Sequence, residues 1–182
     1  MENNNSLEAF LTVKNEKAEK NEINWAKRKE KWLNQVDALF NEVEQWLSSF
    51  SARNLLKIDY EPKILSENYI GTYKTRKMVI GIAGEVVTLA PVATLIIGAS
   101  GRIDMEGDQG LVKLLLVDKR FKTLSFSNSV EETHLQKKEQ LSSEPQEIEL
   151  AWKIATNPPN VQFLPLTQES FSDVLMEVMR SA

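Results

Sequence analysis

"MVIGIAGEVVTLAPVATLIIGA", residues 78–99, carries one charge, Glu85, in 22 positions, and the architecture turns on whether it is one helix or several strands. As a helix it is long enough to cross a bilayer. Its content points elsewhere. Glu85, Pro91, three glycines and the abundance of Val, Ile and Thr break it into buried strands joined by turns. A carboxylate in the middle of a membrane span is also costly. No membrane span is therefore expected, and Glu85 is placed at the solvent-facing turn that "AG" introduces. The competing possibility is a buried carboxylate serving as general acid or base.

The next stretch, "GASGRIDMEGDQG" (98–110), sets Asp104, Glu106 and Asp108 on alternate residues, as a calcium loop sets its oxygens. An EF-hand needs glycine at its sixth position and glutamate at its twelfth, where this chain has Gln109 and Leu115. Alternation has a simpler cause in a strand: Arg102, Asp104 and Glu106 point to one face, Ile103 and Met105 to the other. "GDQG" supplies a hairpin turn, and Gly98 and Gly101 suit a bulge or tight bend before the strand. The charged face is expected either to close on itself as an ion-pair ladder or to meet a partner.

Further β patterning places strands near 55–60, 63–74, 77–82, 85–89, 92–97, 102–106, 111–117 and 147–155. Their short connections predict a mostly antiparallel sheet. N-terminal to them, residues 24–50 carry a helical period. Trp25, Trp32, Leu39 and Trp46 recur every seven residues; Val36, Val43 and Phe50 form a second row, and Leu33, Phe40 and Leu47 a third. A stripe three rows wide is too broad for a two-stranded zipper and predicts a long amphipathic helix laid on a sheet or bundle. At the other end "LTQESFSDVLMEVMR" reads as a shorter helix capped by Thr167, with Glu169 in its first turn and Phe171, Val174, Leu175 and Val178 on its apolar face.

The expected fold is thus α+β, a long N-terminal amphipathic helix and a C-terminal helix packed on a mostly antiparallel sheet of six to eight strands. Residues 1–22 read as an arm or short helix, and 23–182 as a single domain. Residues 119–146 lose apolar content and read as a mobile surface loop.

Composition narrows the chemistry. The 182 residues include no cysteine, which excludes disulfides, thiolate metal sites and cysteine nucleophiles, and one histidine, His134, which excludes a histidine-rich metal centre. Neither a GxxxxGK[ST] loop nor a GxGxxG after a strand is present. No cofactor is expected. The opening "MENNNSLEAF" has no basic region leading into an apolar core, so no signal peptide is read and a cytoplasmic protein is expected.

The net charge of −4, from 22 basic and 26 acidic residues, tells against nucleic acid as the default partner. The basic clusters "YKTRK" and "DKRFK" nevertheless offer Lys74, Arg76, Lys77, Lys119, Arg120 and Lys122 as an alternative nucleic-acid surface. A small metal-dependent hydrolase would have to draw on Glu85, Asp104 and Glu106, with His134 as a further ligand. The leading expectation is a non-enzymatic interaction or regulatory protein: an inhibitor, adaptor or immunity-like factor. It would act on a protein partner, or as a homo-oligomer, through Trp25 and Trp32 of the long helix and through Arg102, Asp104 and Glu106 of the charged hairpin face.

Overall fold

The computed structural model describes residues 12, 24–94, 96, 98–120, 149–156 and 161–179. Apart from residue 12, the N-terminal arm lies outside them, as do His134 and nearly all of the 119–146 segment. Helix α1 (Trp25–Ala52) is followed by seven strands and a second helix. The strands are β1 (Lys57–Glu67), β2 (Gly71–Ile82), β3 (Glu85–Ala93), β4 (Gly101–Gly107), β5 (Gly110–Asp118), β6 (Leu150–Ala155) and β7 (Phe163–Pro165), and the closing helix is α2 (Gln168–Met179). The sheet runs in chain order from β1 to β7, every neighbour antiparallel. The α+β expectation holds. Among the described residues no helix is long and apolar enough to cross a membrane.

Local chemistry sets the ends of α1. The Asn24 side chain accepts the Lys27 N–H at 2.9 Å, satisfying one of the first-turn donors. At the other end Asn54 takes a left-handed φ of 56°, and the N–H groups of Asn54 and Leu55 reach back to the carbonyls of Ser51 and Phe50. This is a Schellman close with asparagine in the glycine position. For α2 the expected cap is in place, with the Ser170 N–H donating to Thr167 Oγ1 at 3.2 Å.

Both helices lie on one sheet face. Trp32, Val36, Leu39, Phe40, Val43 and Leu47 of α1 share a core with Met78, Ile80, Val87, Leu89, Ile103, Met105, Leu114 and Ile154 of the sheet, and with Phe171, Val174, Leu175 and Val178 of α2. Each large side chain so buried contributes about 1.5–3 kcal/mol, which explains why a sequence period of seven survives as a helix laid on a sheet. The Trp46 and Phe171 rings, 5.5 Å apart, bring the start of α2 beside the C-terminal half of α1. The end of α2 reaches the β4–β5 turn, where the Gln109 N–H donates to the Val178 carbonyl at 2.9 Å.

Three strand boundaries differ from the sequence expectation, each for a physical reason. Pro62 interrupts nothing, because β1 is an edge strand with no ladder bond to lose on its outer side. Pro91 lies within β3 at a register irregularity between Pro91 and Ala93, so the expected strands 85–89 and 92–97 give way to one bulged strand ending at Ala93. The β1–β2 turn falls at 68–70, with Tyr69 at φ 68°, inside the stretch 63–74 whose pattern reads as one strand. The short β7 was not expected at all.

Before Met78, β2 has no partner in β3, and the free part of the β1–β2 ribbon turns its faces over. Even-numbered Met78 and Ile80 are buried in the paired part, odd-numbered Leu65 and Tyr73 in the free part. The ribbon flanks α1. Arg76 bonds Asp37 at 3.0 Å and stacks over Tyr60, whose hydroxyl donates to Glu44 at 2.7 Å. At its tip Tyr69 stacks on Trp25, with ring centroids 5.3 Å apart.

Candidate functional site

The expected carboxylate site does not assemble. Glu85 opens β3 directly after the Ala83–Gly84 turn, whose two positive φ values, 51° and 93°, match a tight hairpin turn. It shares the inner face with Val87 and Leu89, and its Oε2 is buried without a bonding partner. Asp104 pairs with Ala90, five residues along β3 from Glu85, about 17 Å at strand rise, and lies on the opposite face. Among the described residues no group of three or more His, Asp or Glu side chains is placed to hold a metal ion.

The charged hairpin face closes on itself. Arg102 donates Nε to Asp104 Oδ1 at 2.5 Å and Nη2 to Asp104 Oδ2 at 2.7 Å, a bidentate pair along one strand. Glu106 stays exposed. Gly98 has the left-handed φ, 78°, of a turn, but Gly101 is needed for another reason: the Trp32 indole lies on it. Trp32 is 2% exposed and also packs against Trp152. Trp32, expected to contact a partner, is therefore almost wholly core, and what little of it is exposed lies at a cleft beside the N-terminal half of α1. Trp25 is half-buried under Tyr69.

The basic residues of the nucleic-acid alternative are separated and mostly neutralised. Lys77 pairs with Glu61, Arg76 with Asp37, Lys119 with Glu149 and Arg120 with Asp118. Lys74 is exposed on β2, three strand spacings or about 14 Å from β5, and Lys122 lies outside the described residues. The Asp118 carboxyl is held down at about 2, first by its side-chain bond to Arg120.

Two features were not foreseen. The first is a polar clasp where the β1–β2 ribbon meets α1. Arg28 donates Nη2 to the carbonyl of buried Thr94 at 2.8 Å, and the Thr94 N–H and hydroxyl donate to Glu67 Oε2 at 2.8 and 3.2 Å. Glu67 Oε1 accepts a short bond from the Tyr73 hydroxyl. Burial, reinforced by that bond, pushes the Tyr73 pKa above its ordinary value. Sequence alone carries no signal for a cluster drawn from residues 28, 67, 73 and 94.

The second is a cleft of about 710 Å³ between the N-terminal half of α1 and the β5–β6 end of the sheet. Its volume is that of an ordinary ligand site. Half-buried Leu150 and the edges of Trp32 and Leu116, each 2% exposed, make its apolar lining; Lys27, Arg28 and Lys31 line it with cations, and Asn24, Asn34, Gln35, Ser100 and Glu149 complete the described lining. No α2 residue lines the cleft: α2 ends at the β4–β5 turn, and Ser100 and Leu116 lie at the opposite end of those strands. At 28 residues α1 extends about 42 Å, and α2, at 12 residues, about 18 Å, so α2 flanks the C-terminal half of α1 only.

Among the described residues, the charge at the cleft is uncompensated. Lys27 and Lys31 are exposed and make no ion pair with a described residue, unlike Arg76, Lys77, Lys119 and Arg120. Arg28 is anchored through Nη2 while its buried Nε has no partner. The one acid of the lining, Glu149, is engaged by Lys119 at 2.8 Å. The spacing of 27, 28 and 31 places these cations on one side of a helix, a signal present in the sequence but masked there by the neighbouring Lys29 and Glu30. No family model matches the chain, and neither a curated protein nor a solved structure matches it.

Proposed function

We propose that this chain is a non-enzymatic interaction or regulatory protein and that it receives a protein partner in the cleft beside the N-terminal half of α1. The observation that carries this reading is the set of three cations, Lys27, Arg28 and Lys31, standing over an apolar floor in a protein that is acidic overall. An apolar floor supplies affinity by desolvation, and a charged rim supplies orientation and rate. Trp25 and Tyr69, stacked at the same end of α1, extend the surface with aromatic area of the kind that anchors interfaces.

The test compares purified tagged protein with a Lys27→Glu/Lys31→Glu variant of equal thermal stability. Each is used to recover binding partners from the native host, and the recovered complex is weighed. A stoichiometric protein partner held by the parent and lost by the variant supports the reading. A partner held equally by both places the interface elsewhere, and no partner for either at low salt removes the proposal.

A further inference from the structure

We infer that the occupant of the cleft is an acidic peptide segment in extended conformation, which adds as a strand to the open outer edge of β6 at Leu150; this rests on the reading of the cleft as a protein-binding site. The geometry starts from β6 itself. Its inner side is fully registered against β5, from Lys113 with Ala155 to Asp118 with Leu150. Its outer side is registered against β7 only from Lys153 to Ala155. The Trp152 carbonyl accepts the Leu166 N–H at 3.2 Å, so the backbone groups of Trp152 point outward, and the Glu149 carbonyl accepts the Lys119 N–H, so those of Glu149 point inward. Backbone direction alternates along an antiparallel strand, which turns the N–H and carbonyl of Leu150 outward. No described residue is registered against them.

The contrast with the other edge of the sheet is instructive. On β1, Pro62 and the charged pairs around Lys57, Asp59 and Glu61 obstruct the approach of another strand. At Leu150 the side chain is apolar and half-buried, and it lines the cleft. A strand laid about 4.8 Å outside β6 would turn alternate side chains toward the helix side, where Lys27, Arg28 and Lys31 stand. Carboxylates at those alternate positions complement the two unpaired lysines and the spare Nε of Arg28. Glu149, already engaged by Lys119, does not compete. This is strand addition with main-chain bonds giving affinity and alternate side chains giving selectivity.

The probe is a short fluorescein-labelled peptide alternating glutamate with threonine, titrated with the full chain and read by anisotropy. Three controls accompany it: the same peptide with lysine for glutamate, the peptide N-methylated at alternate backbone positions, and an oligothymidylate of similar length. The glutamate peptide is expected to bind, and the lysine peptide not to. N-methylation is expected to weaken binding about tenfold, as is Leu150→Pro, which removes the outward N–H together with the leucine side chain beside it. Lys27→Gln/Lys31→Gln is expected to weaken it by a similar factor and to flatten its salt dependence.

If N-methylated and unmodified peptides bind alike, strand addition is wrong. Should Leu150→Pro fail to fold, the N-methylated peptide decides the matter alone, because it leaves the protein unaltered. No binding of the glutamate peptide, while the host partner is still lost on Lys27→Glu/Lys31→Glu, overturns the occupant and leaves the cleft reading standing. Indifference of the host partner to both lysines overturns the two together. Oligothymidylate binding that depends on the lysines, without peptide binding, assigns the cleft to nucleic acid and also overturns the proposal.

Discussion

Gly101→Ala is expected to lower the stability of the protein by about 2 kcal/mol. A Cβ at position 101 would stand 2.1 Å from Cζ3 and 2.5 Å from Cε3 of Trp32, well inside contact distance. The ring has nowhere to withdraw, being 2% exposed and packed against Trp152 at 6.0 Å. Overpacking of this kind costs about 1–3 kcal/mol, and a rigid ring face puts the cost at the top of that range. Against it stands a gain of about 0.4–1 kcal/mol from the less flexible unfolded chain. The steric term wins, and for a chain of this size the melting temperature falls by about 4–8 °C. The measurement is urea unfolding followed by circular dichroism and tryptophan emission. Gly81→Ala is the control: its Cβ would meet only the Lys57 carbonyl oxygen, at 3.9 Å, so that variant should be neutral or slightly more stable. Trp32→Leu should make the Gly101→Ala change less costly than in the parent, because the clashing atoms are gone. A Gly101→Ala protein as stable as the parent would refute this account of the core.

Further outcomes follow from the same contacts. Asp118 is held at about 2 in the folded chain and titrates higher when unfolded, so its contribution to stability is present above the unfolded value and is lost as pH falls toward 2; Arg120→Gln should flatten that acid limb in pH-dependent unfolding. Tyr73 is raised, so its contribution is complete below about pH 10 and is lost above it, at up to about 1.4 kcal/mol per pH unit, and Tyr73→Phe should flatten the alkaline limb. Millimolar Mg²⁺, Mn²⁺ or Ca²⁺ should leave the melting temperature unchanged, since Glu85 and Asp104 lie far apart on opposite faces; a rise that Glu85→Gln abolishes would contradict this. Gln35→Leu, at a half-buried position in the cleft, should raise stability by about 1 kcal/mol while weakening partner capture, as seen in parallel unfolding and pull-down assays.

The helices and most strands were legible because their signals are local and repetitive. The seven-residue rows of α1 became buried Trp32, Leu39, Val36 and Val43, and the alternation of 102–106 became the two faces of β4. Proline misled where topology decided its meaning: Pro62 is harmless on an edge and Pro91 at a bulge, and neither condition is visible until the strand order is known. Trp32 misled for a related reason. Period alone cannot divide a wide stripe into core and surface, and Gly101, some seventy residues away, is what admits Trp32 to the core. The clasp of Arg28, Thr94, Glu67 and Tyr73 joins a hairpin pair to two distant residues, and those long-range links are ones no spacing rule could have announced.

The cleft tells more about function than the charged hairpin because of how each satisfies its charges. Arg102 is neutralised by Asp104 two residues away, so a partner approaching that face would have to displace a bidentate pair before gaining one of its own. Lys27 and Lys31 carry no such debt, and Arg28 is already immobilised by Thr94, so little further side-chain entropy is lost when its spare N–H is used. The cleft instead sets an apolar lining beside cations and a length of β6 edge that no described residue engages, three features that a single extended acidic segment would satisfy together.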